Sequence, residues 1–155
     1  MNYLGIGIFI FLTIIIIVIA ILVTIAIDQL IRLIAPTDPV QNQILNTVTS
    51  LGSFIIIFLI FLIALGLIGA ILAYYYSNGT GVLTGTDWTF YVGLILTLFT
   101  IGLLLLELYA YRELGLYRPS SDQVKVVDLA KSYLLWSIIL TVVVLIFSFI
   151  SLFLI

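Results

Sequence analysis

Four uninterrupted apolar runs, at about residues 4–27, 51–76, 88–111 and 132–155, restrict this chain to a fold whose outside is as apolar as its inside. A helix crosses roughly 30 Å of hydrocarbon with about 20 apolar residues, which each run supplies. The runs are rich in isoleucine and valine, but a lone strand in lipid leaves its backbone unpaired, and the alternating polarity of barrel strands is missing. The expected fold is an all-α membrane protein with four transmembrane helices arranged as two hairpins. Composition agrees, with 65% hydrophobic and 8% charged residues, against about 25% charged in a soluble domain. The 155 residues leave room for one four-helix transmembrane domain, 1–155, and no separate soluble module. The first run exceeds the roughly 7–15 residues of a signal-peptide core and lacks a basic flank, so it reads as a retained span.

Turn chemistry divides the runs. Pro36, Asp38 and Pro39 close the first connection, with Asp38 and Pro39 suited to the cap and first position of the next helix. A glycine-rich stretch from Asn78 to Gly85 forms the second turn, after which Asp87 can cap the third helix. Gly115 and Pro119 end that helix, and Ser120 with Gln123 fits an S-x-x-Q capping box for the fourth. Helices 2 and 4 therefore begin before their apolar runs, near Pro39 and Ser121, in amphipathic extensions. Val40, Ile44, Leu45, Val48 and Leu51 share one face of the first extension, beside Gln41, Asn42, Gln43, Asn46 and Thr47. Val124, Val127 and Leu134 form the stripe of the second, beside Asp122, Lys125, Asp128 and Lys131.

Basic residues set the expected orientation. Arg32, Arg112, Arg118, Lys125 and Lys131 all fall in the first and third connections, and cytoplasmic loops are enriched in lysine and arginine. Loops 28–50 and 112–131 are thus expected to be cytoplasmic, with both termini outside. Interfacial aromatics divide the same way, with Tyr3, Tyr74, Tyr75, Tyr76, Trp88 and Tyr91 in one belt and Tyr109, Tyr111, Tyr117, Tyr133 and Trp136 in the other.

Histidine and cysteine are both absent, which removes disulfides, thiol nucleophiles, imidazole bases and the usual zinc ligands. No nucleophile–base pair, paired intramembrane carboxylates or phosphate loop is present, so no enzyme activity, metal or cofactor is expected. A net charge of -2 argues against a nucleic-acid partner.

Glu107 is the acid that can fall within hydrocarbon, where ionisable groups point to function. Thr89, Gly93, Thr100 and Glu107 recur near helical spacing and form a candidate ion path, or alternatively a packing seam near the inner interface. Gly66, Gly69, Ala70 and Ala73 make a small-xxx-small surface for close helix packing, inside the bundle or between copies. Asp28 with Arg32, and Asp128 with Lys131, are helical charge pairs that solvate helix ends. Asn78-Gly79-Thr80 matches the glycosylation acceptor and equally a turn dipeptide. The connections around Pro36 and Pro119 give the halves a faint repeat that hairpin geometry explains as well as duplication.

Short loops, nearly featureless spans and sparse intramembrane polarity lead to one expectation, a structural or assembly protein. Its partners would be the lipid bilayer and other membrane subunits or further copies, in a multisubunit complex or the membrane layer of a virus particle. The alternatives are a small oligomeric ion or proton channel using the Thr89–Glu107 stripe, and a membrane-bound regulator docking a soluble partner on its cytoplasmic hairpins.

Overall fold

The computed structural model describes residues 3–33, 38–77 and 85–154, with side chains described for 6–33, 38–75 and 90–152. It consists of α1 (Tyr3–Ile31), α2 (Pro39–Ser77), α3 (Gly85–Leu116) and α4 (Val124–Leu154), and no strand occurs among the described residues. Each helix contains a stretch long and apolar enough to cross a bilayer, making this a multi-pass integral membrane protein. The 39 residues of α2 span about 58 Å, nearly twice the hydrocarbon thickness, whereas the 29 of α1 span about 44 Å.

Local chemistry sets the helix starts. Asp38 Oδ1 accepts the Val40 N–H at 3.0 Å, and its carbonyl accepts the Asn42 N–H at 3.0 Å, so Asp38 caps α2 with Pro39 in the first turn. The start of α4 differs from the expected capping box. Gln123 N–H donates to the Ser120 carbonyl in a closed turn, and Val127 N–H then donates to the Gln123 carbonyl. The first helical carbonyl is therefore that of Gln123, and α4 begins three residues later than Ser121.

Each helix packs against its neighbours in sequence and α1 packs against α4, while the Cα atoms of the diagonal pairs α1/α3 and α2/α4 stay more than 8 Å apart among the described residues. This is a square four-helix bundle. Gly52 meets Ile27, Gly66 meets Thr13 and Gly69 meets Phe9, so numbers rise along α2 as they fall along α1 and the two run antiparallel. A buried column of Leu12, Ile16, Ile19, Val23, Ile55, Leu59, Leu62, Leu96 and Leu103 fills the centre. The outward faces carry equally large apolar groups, including Ile14, Ile57, Leu98 and Ile146. Burial from water therefore does not distinguish inside from outside at this depth, and close packing and internal hydrogen bonds must hold the helices together.

Beyond the end of α1 the bundle thins. Leu45 and Val48 are buried and Ile44 and Leu51 half-buried, but Val40 is 62% exposed. The Gly52–Ile27 contact explains the departure from a single buried face. Val40 lies twelve residues before Gly52, about 18 Å along the axis, whereas α1 ends four residues after Ile27.

Candidate functional site

The buried polar side chains concentrate between α3 and α4. Thr97, Thr100 and Glu107 on α3 and Ser137, Thr141, Ser148 and Ser151 on α4 are all buried, and Thr13 on α1 is the other buried polar group among the described residues. From the candidate ion path, Gly93, Thr100 and Glu107 lie in this layer, whereas the side chain of Thr89 lies outside the described residues. A Cβ on Gly93 would stand 3.3 Å from Ser151 Oγ and 3.2 Å from Leu152, so a glycine there lets α4 approach closely. The α4 members were missed in the sequence, although Ser137, Thr141, Ser148 and Ser151 are spaced by four, seven and three residues and share one helical face.

Most of these hydroxyls turn onto their own helix. Thr97 donates to the Gly93 carbonyl at 2.8 Å, Thr100 to Leu96 at 2.6 Å, Ser137 to Leu134 at 2.7 Å and Ser151 to Ser148 at 2.6 Å. Such back-bonding satisfies a hydroxyl where no water is at hand. Ser148 Oγ is buried without a hydrogen-bond partner among the described residues. The layer is closed within the single bundle, with exposures of 0–6%.

Glu107 is the exception to self-satisfaction. It is fully buried, and both carboxyl oxygens lie near Thr141 Oγ1, at 2.8 and 3.0 Å. Thr141 Oγ1 is also 2.7 Å from the Ser137 carbonyl. A hydroxyl carries one hydrogen and cannot donate to both acceptors at once. A hydrogen on the Glu107 carboxyl resolves the conflict, because the carboxyl then donates to Thr141 Oγ1 and Thr141 donates to Ser137. No cation pairs with Glu107 among the described residues, whose one ion pair is the exposed Asp28–Arg32 bridge at 3.2 Å. Asp128 and Lys131 do not form one.

The depth of Glu107 follows from helix register. Phe58 lies against Gly102, and five residues on along α3 and back along α2 bring Glu107 level with Ser53. Ser53 adjoins the Gly52–Ile27 contact, and Asp28 follows Ile27. Glu107 is thus two residues, about 3 Å, inside the rim marked by Asp28, at the end of the bundle that carries the basic residues. The first turn of α2 touches the α3–α4 connection at that end, since the Arg118 N–H donates to Gln41 Oε1 at 2.7 Å.

The small-residue surface of α2 faces α1. Gly66 is seated on Thr13 and Gly69 on the Phe9 ring; Ala73 is buried and Ala70 half-buried. Asn78 lies outside the described residues. Comparison of the chain with protein-family models, curated proteins and solved structures returned no match, so its functional reading rests on its own residues.

Proposed function

We propose that this protein is a non-enzymatic structural or assembly component of a membrane, whose bundle packs with other membrane subunits in a multisubunit complex or in the membrane layer of a virus particle. One observation carries this reading: seven of the eight buried polar side chains among the described residues belong to α3 and α4, and large apolar side chains cover the outside. Such a bundle presents shape and apolar surface to its surroundings. A channel would need Thr100 and Glu107 to line a path, but both are fully buried in the single bundle, Thr100 bonded to its own helix and Glu107 to Thr141 of α4. The basic end faces the cytoplasm, with loops 28–50 and 112–131 there and both termini outside.

Photocrosslinking from the outward positions Ile14, Ile57, Leu98 and Ile146, in the native membrane and then in mild detergent, tests the assembly. Specific adducts to a defined partner or to further copies are expected. A monodisperse monomer without adducts at any position would overturn the reading. Orientation is read separately by single cysteines placed at Asp122 and at Thr80, because the chain has no cysteine of its own. Labelling of Thr80→Cys from outside and protection of Asp122→Cys are expected, and the reverse pattern would invert the topology.

A further inference from the structure

Two clefts lie end to end along α2. The first, of about 480 Å3, is lined by Pro39, Asn42, Gln43, Asn46, Thr47, Ser50, Leu51 and Phe54. The second, of about 610 Å3, lies between α2 and α3 and is lined by Leu51, Phe54, Phe58, Gly102, Leu105 and Leu106. They share Leu51 and Phe54 and so form one continuous surface, amide- and hydroxyl-lined at one end and apolar at the other.

The change in polarity coincides with the membrane boundary. Gly52 adjoins Ile27, one residue from Asp28. Seven residues past Gly102 on α3 is Tyr109, which the Phe58–Gly102 contact places level with Leu51, and Tyr109 is exposed. Exposed Trp136 lies one residue from Ser137, the α4 residue bonded into the Glu107 site. A charged pair and two aromatic rings at one depth mark an interface. The apolar cleft therefore opens on the acyl chains and the polar cleft on the headgroup layer.

The lining specifies the chemistry of an occupant. Neither lining includes a lysine, arginine, aspartate or glutamate, so the lining itself offers no charge to a phosphate or a cationic headgroup. Asn42, Gln43 and Asn46 make no side-chain hydrogen bond within the described chain, in contrast to Gln41, which ties down Arg118. Each amide presents donors and an acceptor together, the pattern that complements sugar hydroxyls. The polar lining runs twelve residues from Pro39 to Ser50, about 16 Å along the helix. A simple headgroup layer is only about 5–8 Å deep on each side of the bilayer, so the cleft matches a headgroup of more than one ring.

We propose that this surface is a binding site for a membrane lipid with an uncharged glycosyl headgroup, the sugars on Asn42, Gln43 and Asn46 and one acyl chain in the groove over Gly102. The site follows from the membrane-spanning fold and holds whether or not the bundle assembles with other subunits. Gly102 forms the floor of the groove. A Cβ there would lie 3.4 Å from Phe58, an ordinary contact, so a larger residue fills the groove without displacing a helix.

The test uses the full chain reconstituted in phosphatidylcholine nanodiscs containing equal small fractions of a diglycosyl diacylglycerol and phosphatidylglycerol. Lipids retained on extraction into mild detergent are counted by native mass spectrometry. The glycosyl lipid should be enriched about tenfold over both phospholipids. The pair Asn42→Ala with Asn46→Ala, and separately Gly102→Leu, should each reduce that enrichment about tenfold while leaving helical content unchanged. The asparagine pair faces outward, so it remains decisive if Gly102→Leu disturbs folding. Equal retention of all three lipids, preference for phosphatidylglycerol, or enrichment that survives the asparagine pair would each overturn the proposal. So would efficient crosslinking from Phe54 to a second copy that fills the groove.

Discussion

The two sides of the bundle are antiparallel helix pairs held together by different physics. Between α1 and α2 the contact is one of shape, with Gly52, Gly66 and Gly69 opening spaces that Ile27, Thr13 and Phe9 fill. Between α3 and α4 the contact includes a cross-helix hydrogen bond, Glu107 to Thr141, within a layer of hydroxyls. The difference shows what replaces the hydrophobic effect when both faces of a helix are apolar. Glycine permits dispersion contacts over a long surface, and a buried polar pair makes separation costly at one point.

Filling the glycine spaces should have the largest effect. Gly66→Leu places a side chain where even a Cβ collides with Thr13, and Gly69→Leu does the same against Phe9. Each should lower stability by about 3 kcal/mol, the upper part of the usual range for overpacking, measured by steric trapping in detergent or bicelles. Tolerance of both would mean that α1 and α2 do not meet through this face.

The polar side should respond asymmetrically. Thr141→Val keeps the side-chain shape but leaves the buried Glu107 without its partner, for a loss of about 1–2 kcal/mol. Glu107→Leu removes the carboxyl itself, while Thr141 retains the Ser137 carbonyl as acceptor. It should change stability by less than about 1 kcal/mol in either direction. A larger loss from Glu107→Leu than from Thr141→Val would show that the carboxyl holds the helices together by more than this bond.

The hydrogen assigned to Glu107 can be observed directly. The chain has two glutamates, Glu107 and Glu113, so carboxyl-labelled glutamate gives two carbon resonances. At pH 7 one should have the shift of a neutral acid and disappear in Glu107→Gln. Glu107→Gln itself should alter stability by less than about 1 kcal/mol, since an amide N–H can donate to Thr141 in the same sense. Two carboxylate shifts at pH 7 would reverse the direction of the hydrogen bond.

Four helices long and apolar enough to span a membrane were legible because they depend on neighbours in sequence. Continuous apolar runs imply spanning helices, and Asp38 before Pro39 is a cap completed within two residues. Features that depend on register between distant helices were not legible. The partner of Glu107 is 34 residues away on another helix, and the exposure of Val40 follows from where α1 stops. The small residues of α2 were visible as a contact surface, but nothing local to them says that Thr13 and Phe9 occupy it. The serines and threonines of α4 stand singly in an apolar run, and nothing local to them says that Thr141 meets Glu107.

The smallest expected effect lies at the rim, where neither form of packing operates. Asp28 and Arg32 pair at 3.2 Å, but their side chains are 57% and 77% exposed. An exposed i,i+4 pair contributes about 0.3–0.5 kcal/mol and is screened by salt. Arg32→Gln should therefore change stability by no more than about 0.5 kcal/mol at low salt and by nothing measurable at high salt. Its effect on orientation need not be small, because it removes the one basic residue beside the first span. If Arg32→Gln leaves stability intact yet yields a mixed topology in cysteine labelling, the residue directs insertion and not packing. A loss comparable to that of Thr141→Val would instead place Arg32 among the contacts that hold the bundle together, and would contradict its exposure.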